Sequence, residues 1–384
     1  MRVLHTADWH LGRTLCGTSL IEDQAHLLEQ FVEVVREERP DAVLIAGDVY
    51  DKSLPPVDAV QLLDDVLSRI ILGESVPVVL IPGNHDSPER LSFGTRLLAR
   101  QRLHVGTLPG GQCEPVIVSD DDGPVWIIPL AYCDPRVVRE RLGDAEAQDH
   151  DHAMNSMVRW ARGFAPPGVR TIAVAHAFVA GGEPSDSERP LSVGGAGSVD
   201  VGRFMAFGYT ALGHLHRPQS MDRHRVRYAG SLMKYSFAEA GHSKSVTLVE
   251  MGRVGEVKVR EVRLTPRRDL RCLEGRLADI LRGPGPGESR EDYISVTLTD
   301  EGALLHPMDR LREVYPNILE VRRSVLSDAG ELIGIRGDHR RMSELELFRA
   351  FFEQVTGQPL TEEQEEVFAG VVEGLRAREE VAPS

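Results

Sequence analysis

Cysteine is scarce and scattered, with only Cys16, Cys113, Cys133 and Cys272 among 384 residues. No two of them stand at zinc-ligand spacing, which excludes a cysteine-built metal site and points to free thiols in a cytoplasmic protein. No run is long and apolar enough to span a bilayer, and the first residues read as a strand rather than a signal peptide. Positive charge is also short: 44 Lys and Arg stand against 59 Asp and Glu, a formal net charge of −15. Such a chain repels nucleic acid as a whole and would bind it only through local positive features or bound metal ions. The same acidity serves solubility equally well. What is present is ordinary for a globular protein, 41% hydrophobic and 27% charged residues, with length for two or three domains.

The informative stretch is Val76-Pro-Val-Val-Leu-Ile-Pro-Gly-Asn-His-Asp86. Residues 78–81 read as a strand buried on both faces, and Pro82-Gly83 stops it. Asn84, His85 and Asp86 follow, and Ser87-Pro88 opens a helix with an N-cap and a proline at the first helical position. Polar residues between a buried strand's carboxyl end and a helix start lie where open α/β sheets bind ligands. Taken alone, Asn-His-Asp is turn chemistry. The pattern recurs, however. Residues 1–7 end in Asp8-Trp9-His10, residues 42–46 in Gly47-Asp48-Val49-Tyr50-Asp51, residues 170–175 at His176, and residues 207–212 in Gly213-His214-Leu215-His216.

Between these motifs the apolar periodicity predicts a helix over 21–39 and another from Pro55-Pro56 to Ile71, closed by Gly73. The apolar residues of the second spread too widely to face one sheet. A second buried side is expected, formed either by the chain's own domain or by another copy of the chain, with the dimer contact, shared with a helix over 89–100, favoured. Strand-like runs fill 116–130, and a polar helical stretch covers about 137–162. Residues 181–197, rich in Gly, Ser and Pro, read as a long surface loop beside the last two motifs. Near Leu264-Thr-Pro266 the pattern shifts to small alternating strands and helices, a compact α+β domain of roughly 70 residues. Gly283-Pro-Gly-Pro-Gly287 is a flexible link within it, and 334–339 reads as a linker. Two helices close the chain, one carrying Leu345, Leu347, Phe348, Phe351 and Phe352 and one opened by the capping box Thr361-Glu-Glu-Gln364. Their apolar faces need a surface, either the chain's own body or a partner. The domains expected are therefore 1–265, 266–338 and 339–384.

Asp8, His10, Asp48, Asn84, His176, His214 and His216 together offer two carboxylates, an amide oxygen and four imidazoles. That is too many ligands for one ion and suits two ions sharing a carboxylate, the arrangement used for phosphoester hydrolysis. Nitrogen and hard oxygen ligands without cysteine fit manganese or iron as well as zinc. Each residue has a plainer reading: Asp48 as a turn cap, Asn84 as a left-handed turn residue, His214 and His216 as exposed loop residues. The ordered set favours metal. His5, His104, His224 and His242 receive no role.

Asp-x-His, Gly-Asp-x-x-Asp, Gly-Asn-His-Asp, a lone His and Gly-His-x-His, in this order, resemble the calcineurin-like metallophosphoesterases. Their fold is a two-sheet α/β sandwich flanked by helices. Within it, His5-Thr-Ala-Asp-Trp-His-Leu-Gly12, Gly47-Asp-Val-Tyr-Asp51, Ile81-Pro-Gly-Asn-His-Asp86 and Tyr228-Ala-Gly-Ser231 resemble the SbcD family of bacterial nuclease subunits. The likeness runs over essentially the whole chain and is weakest across 116–165 and the middle domain. It implies a DNA exonuclease on duplex ends and endonuclease on single strands and hairpins, acting in DNA repair, replication and recombination. It also implies two divalent ions, usually Mn(2+). Asp8, His10, Asp48 and His216 would hold one, and Asp48, Asn84, His176 and His214 the other. His85 would face the scissile phosphate, with Asp86 orienting its ring.

By the same resemblance the middle domain would cap the DNA path. The terminal helices would grip the SMC-like ATPase SbcC, and a homodimer would complete a two-plus-two complex at the nucleoid, with no membrane involved. Arg217, Arg223, Arg225 and Arg227 form a local basic run, either for DNA or simply solvated. A cyclic-nucleotide phosphodiesterase would share the metal motifs but have little use for the last two domains. A phosphoprotein phosphatase should carry Gly-Asp-x-Val-Asp-Arg-Gly and Asn-His-Glu where Tyr50-Asp51-Lys52 and Asp86 stand. A non-catalytic scaffold would tolerate missing ligands, and none is missing.

Overall fold

The computed structural model describes residues 1–107, 109, 114–188, 197–302, 304–324, 343–356 and 358–379. Cys113, the 189–196 part of the expected loop, the 334–339 linker and the expected boundary at 338/339 lie outside the described residues. The chain divides into two compact units, Met1–Asp269 and Leu270–Ser384.

The first unit is a pair of six-stranded sheets. One runs in the order Val257–Arg263, Ser245–Met251, Arg2–Thr6, Ala42–Ala46, Val78–Ile81, Leu103–Val105. The other runs Gln219–Asp222, Val226–Tyr228, Tyr209–Gly213, Arg170–His176, Gly123–Leu130, Val116–Asp120. The four neighbours from Arg2–Thr6 to Leu103–Val105 in the first sheet are parallel, as are the four central strands of the second. Central strands such as Ala42–Ala46 and Val78–Ile81 are buried along their whole length, which is why they read as unbroken apolar runs rather than alternating ones. Val3, Leu44, Ala46 and Ile81 of one sheet meet Ile127, Ile172, Val174 and Ala211 of the other in a shared core. Outside the second sheet, helices Pro135–Leu142 and His150–Arg162 close a further core with Leu130, Met154, Met157 and Val158.

Register places the site. In the first sheet Thr6 pairs with Ile45 and Ala46 with Ile81; in the second Gly213 pairs with His176. All the motif strands therefore stop at one level, and the residues after them fall side by side.

Helix Ile21–Glu38 matches its periodicity, burying Leu27, Leu28, Phe31, Val32 and Val35. Helix Val57–Ser68 buries Ala59, Leu63, Val66 and Leu67 and widens into a π-helical turn over Arg69–Gly73, while Val57 and Val60 stay exposed. The helix expected over 89–100 is instead two short segments, Pro88–Leu91 and Thr95–Leu98, and a 3-10 turn. Gly94 sits between them at φ 72°, a left-handed conformation that ends a helix. The stretch at 137–162 is likewise two helices, split at Gly143 (φ 65°).

In the second unit, strands Leu270–Gly275, Tyr293–Leu298 and Ile318–Arg323 form a parallel sheet in chain order. Helices Leu277–Ile280 and Pro307–Val314 fall between them in sequence and join a core of Ile294, Val296, Leu298, Leu311 and Tyr315. Helices Glu344–Thr356 and Glu362–Glu379 pair with each other: Phe348 stacks on Phe368 at 3.9 Å and Arg349 bridges Glu365 at 2.5 Å. The reciprocal capping bonds of Thr361 and Gln364 form as expected, 3.0 and 3.4 Å long. The described residues contain no helix long and apolar enough to cross a membrane.

Candidate metal centre

The motif residues sit on backbone that the sequence bends hard. Asp8, His10, Asp48 and His214 all have positive φ (53°, 44°, 49° and 111°). Non-glycine residues avoid this region unless the surroundings over-determine it, and such strain clusters at functional sites. Here the surroundings are explicit. The first two loops are laced together by Asp8 N–H to Gly47 O (3.0 Å), His10 N–H to Asp48 O (2.9 Å) and Leu11 N–H to Val49 O (2.9 Å). Gln24 donates its amide to the carbonyls of Trp9 (3.1 Å) and His10 (2.8 Å). Glycines make room for the ligands: a Cβ on Gly47 would lie 2.3 Å from His176 Nδ1, and one on Gly83 would lie 2.2 Å from Asp48 Oδ1.

All seven expected donors converge. Asp8, His10 and His216 can offer atoms within 4.8 Å of one another, as can Asp8, Asp48 and His176. His10 Nε2 is 3.0 Å from His216 Nε2 and 3.7 Å from Asp48 Oδ2. On the other side His176 Nε2 is 3.5 Å from Asp48 Oδ2, and Asn84 Oδ1 lies 2.9 Å from His176 Nε2 and 3.2 Å from His214 Nδ1. Asp8, His10, Asp48, His176, His214 and His216 are all buried, whereas Asn84 and His85 are only half-buried at the rim.

The donor chemistry fits divalent cations. His176 gives its Nδ1–H to the Ala46 carbonyl at 2.9 Å, so its Nε2 presents a lone pair. That lone pair faces the acceptor Asn84 Oδ1. Two acceptors this close repel unless a cation satisfies both. Burial, reinforced by neighbouring imidazoles, holds His10 and His214 well below the usual histidine range. Burial also lowers His176 against the opposing pull of Asp48. Neutral imidazole is the form that binds metal. Burial and the charge of Asp48 push the Asp8 carboxyl up, the mark of negative charge packed without enough compensation. His10 Nδ1 is itself buried with no hydrogen-bond partner.

His85 sits apart from the seven. Its Nδ1–H donates to the Asp51 carbonyl at 2.7 Å, its ring lies edge-on to His10 with centroids 4.7 Å apart, and its backbone N–H bonds Asp48 Oδ1 at 2.9 Å. His10, Asp51 and His85 form a third ligand-like cluster, although the carbonyl bond leaves only Nε2 of His85 uncommitted.

The expected role of Asp86 is corrected. Its carboxylate does not orient the His85 ring; it accepts backbone N–H bonds from Val49 (3.0 Å), Tyr50 (2.9 Å) and Gly83 (2.9 Å). Asp86 thus staples two motif loops together, and the ring is oriented by the Asp51 main chain. Burial and the nearby Asp48 raise its carboxyl.

The basic run after His216 is also largely spent within the fold. Arg217 pairs with Glu183 and Arg227 with Glu261, and Arg225 donates to the Phe207 carbonyl at 2.8 Å. Sequence reading passed over Gln24, Tyr235, Ser187, Glu188, Glu239 and Lys244, which support the ligands. Nothing local marks them, since each reaches the site from a distant part of the chain. The one available signal was the Gly-, Ser- and Pro-rich run over 181–197 following His176, which carries Ser187 and Glu188.

A two-sheet sandwich with carboxylates, imidazoles and an amide gathered at the strand ends defines a calcineurin-like metallophosphoesterase. The family model described as calcineurin-like phosphoesterase matches residues 1–136, and that of the type 5 capsule protein repressor C-terminal domain matches 266–356. The SbcD subunit of the nuclease SbcCD from Staphylococcus saprophyticus is 32% identical over 375 residues, covering 98% of this chain and 98% of that protein. Its namesake in Staphylococcus epidermidis is 30% identical over 379 residues, 99% of this chain and 100% of that protein. The chain belongs to the SbcD family of nuclease subunits.

Proposed function

We propose that this chain is a metal-dependent DNA nuclease, exonucleolytic on duplex ends and endonucleolytic on single strands and hairpins. Its partner is the SMC-like ATPase SbcC, and it serves DNA repair, replication and recombination at the nucleoid. The observation that carries this reading is the convergence of seven donors from five strand ends, with one histidine left half-buried at the rim. Asp8, His10, Asp48 and His216 hold one ion; Asp48, Asn84, His176 and His214 hold the other; manganese is the preferred metal. When bound, the ions supply a nucleophile at neutral pH and charge stabilisation for in-line displacement at phosphorus.

The chain's own residues do the rest. Asp86 and Gln24 fix the loops so that the ligands need not reorganise. His85, its Nδ1–H committed to the Asp51 carbonyl, keeps Nε2 free at the half-buried rim, where a proton on that atom can be passed to the departing oxygen.

The second unit is read as a DNA-capping domain over 266–338 followed by partner-binding helices over 339–384. Leu54, Val57, Val60, Phe93 and Leu97 are exposed apolar residues on and around helix Val57–Ser68 and the turns over 88–98. They support a homodimer contact, and with it a two-plus-two assembly.

The test is a comparison of linear duplex, circular single-stranded DNA, a cyclic dinucleotide and a phosphopeptide with manganese, with and without the ATPase. DNA cleavage that chelator abolishes and manganese restores more fully than magnesium is expected. Turnover of the cyclic dinucleotide alone would replace this reading with a small-molecule phosphodiesterase. His85→Leu should bind both ions yet cut DNA about 10²–10⁴-fold more slowly. Loss of an ion in that variant would make His85 a ligand instead.

A further inference from the structure

Behind His216 runs a buried chain of polar groups that the ligand set does not use. His216 Nδ1 lies 2.6 Å from Ser187 Oγ, that hydroxyl is in short hydrogen-bond contact with Glu239 Oε1, and the same carboxylate oxygen is 3.3 Å from the ring nitrogen itself. Lys244 Nζ pairs with Glu239 Oε2 at 2.5 Å and also donates to the His216 carbonyl and to Ser231 Oγ, each at 2.8 Å. From the other side Glu188 Oε1 accepts the backbone N–H of His216 at 2.7 Å. Its Oε2 accepts from Ser185 N–H at 2.6 Å and from the Ser185 hydroxyl at 2.8 Å. Glu239 is 0% exposed, Lys244 6% and Ser187 9%.

Counting donors fixes the direction of the chain. A carboxylate only accepts, so the single Ser187 hydrogen goes to Glu239. The Ser187 oxygen can then only accept from His216, which places the ring proton on Nδ1. Nε2 is left bare, and it is the atom 3.0 Å from His10 Nε2.

His216 lacks the support from the sheet that His176 has. His176 ends a strand and finds the Ala46 carbonyl beside it, 2.9 Å away. His216 stands beyond the end of strand Tyr209–Gly213, past the reach of the sheet's own carbonyls. Ser187 and Glu188 come from the start of the Gly-, Ser- and Pro-rich loop. Arg13 anchors that start through the Ser187 carbonyl at 3.0 Å, and Gln219 through the Glu183 carbonyl at 3.0 Å.

We infer that Glu239, acting through Ser187 and by its own contact with the ring, together with Glu188, positions His216 so that its bare Nε2 faces the metal centre, with Lys244 as the counter-charge. The inference rests on the metal-binding reading above. A carboxylate behind a metal-ligating histidine fixes the ring and its tautomer, and losing such a partner weakens metal binding about 10–100-fold.

The full chain, stripped of metal, is titrated with manganese and followed by calorimetry and by electron paramagnetic resonance, alongside Ser187→Ala and Glu239→Gln. The expected result is that one of the two ions binds about 10–100-fold more weakly in either variant while the other is unchanged. Thermal unfolding of metal-free Ser187→Ala should match the wild type, whereas Glu239→Gln leaves Lys244 buried without its counter-charge and is expected to be less stable. Ser187→Ala leaves the Lys244–Glu239 pair intact, so it decides the matter should Glu239→Gln fail to fold. Wild-type titration of both ions in both variants, or equal weakening of the two sites, would overturn the positioning role alone. A wild type that takes up no manganese would instead sink the metal reading, and this inference with it.

Discussion

The candidate ligands were legible in the sequence only as an ordered set: each residue alone has an ordinary turn or loop reading, but Asp, His or Asn at five buried strand ends does not. Glu239 and Lys244 were not, because a buried ion pair leaves no periodic or motif signature. Asp86 shows the limit of motif reading: its place was visible, but its partners depend on which main-chain N–H groups the fold brings to it. His5, given no role from sequence, has a structural one. It donates Nε2–H to the Leu212 carbonyl at 3.1 Å and accepts at Nδ1 from the Tyr209 hydroxyl at 3.0 Å, wholly buried. Burial lowers its pKa from 6.5 to about 3. The folded state therefore refuses a proton that the unfolded chain accepts below pH 6.5, so stability is intact above that pH and lost as pH falls toward 3. Between pH 6.5 and 5 the loss should be about 2 kcal/mol from this one group. Urea unfolding of the metal-free protein at several pH values should show a shallower acid limb for His5→Gln. An unchanged slope would assign the acid sensitivity elsewhere.

At the scale of elements, strand and helix existence followed from apolar runs and 3.6-residue periodicity, whereas breaks within helices did not. Gly94 and Gly143 each sit in a stretch whose neighbours favour helix, and only the observed positive φ shows that the chain turns there. The strand ends raise the converse point, since their glycines look like ordinary turn residues in sequence. Gly83 is required by proximity: a Cβ would lie 2.4 Å from Asp48 N and 2.2 Å from its Oδ1. That contact is main chain and ligand together, and neither can move without shifting the other. Gly83→Ala should therefore cost about 1–3 kcal/mol in stability and, with Asp48 as the proposed shared ligand, weaken uptake of both ions. Gly73→Ala is the control. It has open space around it and no positive φ, and should lie within about 0.5 kcal/mol of wild type. Calorimetric unfolding and manganese titration of the two variants separate a packing effect from a general intolerance of alanine.

For the whole molecule, the formal charge of −15 remains the strongest objection to a nuclease. The fold does not remove it with a basic groove from the Arg217–Arg227 stretch, since Arg217 and Arg227 pair with acids and Arg225 with main chain. On the proposed function, bound dications and a partner would supply attraction for DNA that this stretch does not. The second unit offers a place for one. Its terminal helices stack Phe348 on Phe368, yet Leu347, Val367 and Val371 remain 38%, 64% and 55% exposed. Glu362, Glu363 and Glu365 crowd the first turn of the last helix. Apolar side chains on an acidic helical pair suit a partner that offers an apolar seam flanked by basic residues. If that partner is the ATPase, deleting residues 343–384 should end co-purification with it while leaving manganese-dependent cleavage of single-stranded DNA within about twofold of the full chain. The two readouts separate because every donor of the metal centre lies in Met1–Asp269, the other compact unit. Partner binding that survives the deletion would move the docking surface onto residues 1–342, and cleavage lost along with the helices would mean that the two units do not work independently.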